Sequence, residues 1–205
     1  MSSNQIINPL FVPDTFYHIY NRGNNRERNF LKIPIINSFK SFFTNIHLIG
    51  SILAYCLIPN HFHFLIKTKS GINSDKNYKP DEINAPICEQ FRKMFMRYSK
   101  SINVQEDRVG SLFQKNFKRK PVLNDNHLKL LVAYIHLNPL LHSITADFRN
   151  YKWSSYQSIL SNKPSNLKRT ELLEYFDGKD EFIKYHKNYK ENKEIHNLIE
   201  MDYEI

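Results

Sequence analysis

An α+β fold, with helices packed on an antiparallel sheet, follows from three features of this 205-residue sequence. Short runs rich in aromatic and β-branched residues alternate apolar with polar positions, as strands do. Longer runs return an apolar residue every three to four positions, as amphipathic helices do. The two kinds succeed one another as β-α-β-β-α-β-α.

The first strand reads through Thr15–Asn21 and ends at Gly23. From Glu27 to about Leu48, the recurrence of Phe30, Ile35, Phe39, Phe42/Phe43 and Ile46 predicts a helix, with Pro34 a point of interruption. Two strands follow, Ser51–Ile58 and His61–Thr68, joined through the turn residues Pro59-Asn60. Lys69–Pro86 is polar, carries Gly71, Pro80 and Pro86, and is expected to be a loop. Helical spacing resumes over Ile87–Ile102, with Phe91, Met94, Phe95 and Tyr98 on one side. Gly110–Val122 is expected to be extended. A last helix is expected over Asn126–Asn138, capped by Asn124 or Asp125 and stopped by Pro139.

This order is that of a ferredoxin-like split βαβ sandwich, an antiparallel sheet with helices on one face, plus one more helix. Residues 1–160 form the main domain in this reading, and 161–205 an accessory helical tail. The tail is rich in Lys, Glu, Asn and Tyr, with a small apolar stripe at Leu172, Leu173, Phe176, Phe182 and Ile183. A superfold of this kind does not by itself name a function.

Charge narrows the function classes. Lys plus Arg number 29 against 20 Asp plus Glu, a net +9, and the isoelectric point is near 9.4. A phosphate-bearing partner is the simplest reason to maintain such a field; the alternative is a merely basic globular protein. The cations cluster: Arg92, Lys93, Arg97 and Lys100 fall on one predicted helix, and Lys115, Lys118, Arg119 and Lys120 on the extended run after it. These eight are the candidate DNA-backbone contacts, with Phe113 or Phe117 as base-stacking candidates. No apolar run approaches the roughly 18 residues of a membrane span, and Met1–Pro9 lacks the pattern of a secretory signal. With no such run, no membrane partner is expected; Cys56 and Cys88 match no metal spacing and suit a reducing cytoplasm.

Two small groups of residues carry chemistry. In His61-Phe62-His63, strand alternation directs both imidazoles to one face, where they could share a divalent ion or simply be half-buried sheet histidines. In Tyr134-Ile135-His136-Leu137-Asn138-Pro139, helical spacing puts Tyr134 and Asn138 on one face a turn apart. The Asn138 carbonyl suits a hard cation such as magnesium or manganese, beside which the tyrosine would lie. The bland alternative is a core tyrosine followed by a helix-ending Asn-Pro. His18, His47, His136 and His142 read as structural or surface residues, and Tyr98 and Tyr156 as packing residues.

Pro59-Asn60-His61-Phe62-His63-Phe64-Leu65 resembles the HUH motif of the REP-associated tyrosine transposases, a bacterial branch similar to the IS200/IS605 enzymes. Tyr134–Pro139 resembles their tyrosine motif and follows in the expected order. Gly110-Ser111-Leu112-Phe113-Gln114-Lys115-Asn116-Phe117-Lys118 and Trp153-Ser154-Ser155-Tyr156 resemble two further segments, and Tyr17–Gly23 the first strand. The likeness covers roughly residues 13–160. Lys115-Asn116 stands where the family usually has an Arg.

The resemblance implies an HUH endonuclease domain that binds single-stranded DNA hairpins of the REP-palindrome kind. It implies a Mg2+ or Mn2+ ion held by His61, His63 and Asn138, with Tyr134 as the nucleophile forming a 5′-phosphotyrosine. Cutting and rejoining then need no nucleotide cofactor, because the covalent intermediate conserves the energy of the broken bond. Such an enzyme acts as a monomer or homodimer. Two other readings compete. One is a catalytically silent nucleic-acid-binding module, and the other is a metal nuclease that activates water, for which no Asp or Glu stands at a helpful spacing.

Overall fold

The computed structural model describes residues 8–24, 46, 50–69, 80–114 and 116–188. The helix expected over 27–48 therefore lies outside the described residues except for Ile46, which is buried. Lys115 and the tail beyond residue 188 also lie outside them.

Four strands form one antiparallel sheet: β1 (Phe16–Arg22), β2 (Gly50–Ile58), β3 (His61–Thr68) and β4 (Lys118–Pro121). Their order β2-β3-β1-β4 is that of the split βαβ fold, with the β2–β3 hairpin turning at Pro59-Asn60. Only four residues of the expected extended run 110–122 pair as a strand. Upstream, a single bridge joins Phe113 to Gly23, and Asn116 takes a left-handed turn at φ 69°, which breaks the ladder.

Register gives the sheet two chemically different faces. Arg22, Tyr20 and His18 pair with His61, His63 and Leu65 on one face; Asn21, Ile19 and Tyr17 pair with Phe62, Phe64 and Ile66 on the other. The second face is apolar and is covered by α1 (Pro80–Gln105). Ile83, Ile87, Phe91, Met94, Tyr98 and Ile102 form its buried stripe, and Phe95 lies 5.6 Å from Phe62, ring to ring. This helix starts seven residues before the predicted Ile87. Pro80 occupies its first position, where no backbone bond is lost. Pro86 forfeits one bond inside the helix, and the fully buried Ile83 and Ile87 beside it offset that loss.

The histidine-bearing face is covered by the added helix, α2 (Asp125–Leu141), capped by Asn124, whose side chain accepts from the His127 N–H at 2.9 Å. The helix does not stop at Pro139 as expected. Pro139 removes only its own donor, the turn continues to Leu141, and the His142 N–H closes it on the Asn138 carbonyl at 3.0 Å.

Beyond α2 the chain returns along the outer edge of β2. The Leu57 N–H donates to the Trp153 carbonyl, and the Ser155 N–H to the Tyr55 carbonyl, both at 2.9 Å. The Trp-Ser-Ser-Tyr segment thus covers a sheet edge that would otherwise be open for pairing. Three short helices follow: α3 (Tyr156–Leu160), α4 (Arg169–Glu174) and α5 (Lys179–Lys187). Leu172, Phe176 and Phe182 join the same core cluster as the sheet.

A buried polar chain ties α5 to α2 and β2. His186 Nδ1 donates to the Phe182 carbonyl (2.7 Å), so its Nε2 accepts from His136 Nδ1 (2.9 Å), and His136 Nε2 accepts from the Ser155 hydroxyl (2.8 Å). The Tyr55 N–H in turn donates to Ser155 Oγ at 2.9 Å. Every donor finds an acceptor with both imidazoles neutral, in keeping with burial, which holds His136 well below the usual histidine range and His186 at about 4.

Candidate metal and nucleophile site

The four residues singled out in the sequence converge between β3 and α2. His61 and His63 stand on one strand face, their rings 5.0 Å apart, and α2 brings Tyr134 to 5.4 Å from the His63 ring. One turn later it brings Asn138 Oδ1 to 3.2 Å from His61 Nε2. Helix spacing on one side and strand alternation on the other therefore meet at a point.

Proton bookkeeping at His61 leaves a place for a cation. Asn60 Oδ1 accepts from His61 Nδ1 at 2.8 Å, so the neutral ring keeps its lone pair on Nε2. That lone pair faces the Asn138 amide, whose Oδ1, an acceptor, stands 3.2 Å away; turned over, the amide would present Nδ2 as a donor instead. Two acceptors at this range repel unless a proton or a cation lies between them. A second proton is disfavoured, because burial first, then His63, His142 and Arg22, hold His61 well below the usual imidazole range. Adjacent ligands of an octahedral ion bound at about 2.0–2.1 Å stand about 3 Å apart, close to the separation found. Buried Asn138 Nδ2 and the buried Tyr134 hydroxyl have no hydrogen-bond partner among the described residues. The donor set thus fits a divalent ion. Among the described residues no three His, Cys, Asp or Glu side chains could hold one, so an ion here would take the amide as its third protein ligand.

Three residues of this site escaped the sequence reading. His18 Nε2 lies 2.9 Å from His63 Nδ1, fixing that ring's orientation, so that His63 would hold an ion through Nε2. His18 was expected to be structural or surface. It is buried and structural, standing behind a candidate ligand, and burial first, then Lys120 and His127, bring its pKa to about 3. The His142 ring sits 4.7 Å from His61, and Arg22 pairs with His61 in the sheet register. Alternation along β1 puts His18, Tyr20 and Arg22 on one face, but only the β1–β3 register reveals that this face is shared with the histidine pair.

The candidate DNA-binding cations divide between the two faces. Lys118 and Lys120 pair with Tyr20 and His18 on the site's face, and Lys120 Nζ lies 5.9 Å from the Tyr20 ring. Arg92, Lys93, Arg97 and Lys100 are exposed on α1, across the sheet; Arg92 and Lys93 both pair with Glu89, at 2.6 and 3.7 Å. Arg119 is buried, its Nε donating to the Pro9 carbonyl and its guanidinium lying 4.4 Å from the Phe11 ring. Tyr98 and Tyr156 are core residues, as the packing pattern suggested.

No family model matches the chain. Over 125 residues it is 26% identical to a Haemophilus influenzae protein that carries the name REP-associated tyrosine transposase, covering 59% of this chain and 68% of that protein. Its fold matches the structure of a REP-associated tyrosine transposase bound to a REP hairpin, with a TM-score of 0.59 at 13% identity over 81% of this chain and 90% of that one. In sequence and in fold, the chain is similar to the REP-associated tyrosine transposases.

Proposed function

We propose that this chain is a transposase that cuts and rejoins single-stranded DNA at REP-like hairpins, with Tyr134 as nucleophile. The observation that carries the reading is the convergence of the buried Tyr134, His63 and Asn138 with the half-buried His61 in one site. The likeness to a transposase bound to a REP hairpin supports the choice of substrate.

His61 and His63 would hold a divalent ion through Nε2, and Asn138 through Oδ1. When bound, that ion supplies Lewis acidity to the scissile phosphate and favours the phenolate form of the nucleophile. The Tyr134 oxygen attacks phosphorus, the bond to the 3′ oxygen breaks, and the 5′ phosphate stays on the tyrosine. A DNA 3′-hydroxyl attacking the same phosphorus reverses the step and releases Tyr134, since a phenol is also a fair leaving group. His18 orients His63 throughout. Lys118, Lys120 and Arg22 provide positive charge on the same face for the DNA backbone. At 2% exposure the phenol must be uncovered or rotated for the phosphate to reach it.

A hairpin oligonucleotide with a single-stranded flank tests this directly. Incubated with Mn2+, the wild type should give a covalent protein–DNA band on a denaturing gel, and Tyr134→Phe should bind the oligonucleotide without forming it. An adduct in Tyr134→Phe removes Tyr134 from the role. Cleavage with no adduct in the wild type indicates water as nucleophile, and binding with neither indicates a silent module.

A further inference from the structure

A second site lies across the sheet from Tyr134. A cavity of about 970 Å³ opens between α1 and residues 108–114 and 116–119, at the upper end of the roughly 300–1,000 Å³ typical of ligand sites. Phe95, Phe113 and Phe117 form its aromatic wall, with Phe95 4.8 Å from Phe113 and 5.8 Å from Phe117, ring to ring. Arg92, Lys100 and Arg108 line it as well, and no Asp or Glu does among the described residues.

Two details indicate a ligand rather than packing. Met96 and Val104, 57% and 77% exposed, both line this cavity, an apolar lip that water solvates poorly. Asn103 is already oriented, its Nδ2 donating to the Gly110 carbonyl at 2.9 Å, while its Oδ1 is buried with no hydrogen-bond partner among the described residues. That leaves a fixed acceptor beside flat apolar rings and a cationic rim.

We propose that this cavity binds an unpaired nucleotide of the DNA strand, its base against the phenylalanine wall and its phosphate against the cations. The Asn103 carbonyl accepts from an N–H on the base edge. A paired stem hides its base faces in the stack, so only a single-stranded or extruded nucleotide offers both a ring face and a phosphate here. This rests on the DNA-strand reading above for the kind of nucleic acid. It adds that the strand is held on both faces of the sheet, with reaction on one and grip on the other.

Full-length protein should be photocrosslinked to a single-stranded octadeoxyadenylate carrying one 5-iododeoxyuridine, and the attachment point mapped by mass spectrometry. Crosslinks are expected within residues 95–117. Affinity for the octamer, measured by anisotropy, should fall about 10-fold in Asn103→Ala and in Phe95→Leu, in the range expected for loss of one base stack or edge contact. An octamer of abasic residues should bind the wild type as weakly as the intact octamer binds Phe95→Leu. Thermal melts of both variants check that they fold, and Lys100→Glu on the exposed rim, expected to weaken binding likewise, supplies a change that leaves the core untouched. Crosslinks confined to the Tyr134 face, equal affinity of abasic and intact octamers, or capture of an acidic peptide in preference to DNA would overturn the proposal. Unchanged octamer affinity with adduct formation intact defeats this site alone. Crosslinks within 95–117 with no adduct from any hairpin defeat the transposase reading and leave the nucleotide site standing.

Discussion

Replacing Tyr134 by Phe should stabilise the protein while abolishing covalent chemistry. The Tyr134 side chain is 2% exposed, and its hydroxyl is buried with no hydrogen-bond partner among the described residues. A buried hydroxyl without a partner costs about 1–3 kcal/mol relative to its hydrated state, and Phe keeps the ring contacts with His63 and His18 at 5.4 and 6.3 Å. The metal-free variant is therefore expected to gain about 1 kcal/mol, or about 2–4 °C in Tm for a chain of this size. Calorimetry of both proteins with EDTA, at one pH and without DNA, measures it. With Mn2+ and hairpin DNA present, the order should narrow or reverse, because only the wild type offers its phenol to the bound state. A variant destabilised by more than about 0.5 kcal/mol under EDTA would show that the hydroxyl is satisfied in the resting protein. That outcome would refute its assignment as a group held in reserve for substrate or metal.

The ligand assignment predicts that Mn2+ raises the Tm of the wild type and leaves His61→Ala and His63→Ala unmoved, as differential scanning fluorimetry can show. Because two imidazoles and one amide are softer donors than carboxylates, Mn2+ should bind more tightly than Mg2+ in a calorimetric titration. His18→Phe should fold yet bind Mn2+ about 10–100-fold more weakly, as losing the hydrogen bond behind a ligating histidine does; equal affinity would remove His18 from its supporting role. Acid should destabilise the fold through the neutral buried histidines. His186 is held at about 4 against an ordinary value of 6.5, so its contribution is fully present above pH 6.5 and is lost as pH falls towards 4, amounting to about 3 kcal/mol at pH 4. Denaturant titrations across that window should show a shallower pH slope in His186→Gln than in the wild type.

Much of the site was legible because it is built from local periodicities. Strand alternation alone puts His61 and His63 together, and helix spacing alone puts Tyr134 above Asn138. What single-sequence reading lacks is the register between elements, and it was register that brought His18 and Arg22 to the histidine pair. The prolines misled in a consistent way. Pro86 marks the end of an expected loop and Pro139 an expected helix stop, yet each sits inside a helix whose packing outweighs one lost hydrogen bond. The brevity of β4 was equally hidden, since the left-handed turn at Asn116 leaves no strong mark in residues 110–122.

The candidate ligands carry no negative charge: two imidazoles held neutral by burial and one amide. A divalent ion among them would keep nearly its whole charge, in surroundings that already include Arg22, Lys118 and Lys120. Its affinity for the protein alone would then be modest, and the charge it needs would come from DNA phosphate. Each ligand must strengthen the other by the same factor, because the coupling free energy between two binding events is shared. A carboxylate in place of Asn138 would bind the ion more firmly but neutralise part of the field that draws the phosphate in. On the proposed reading an amide there would keep that field for the substrate, and full activation would wait on the DNA.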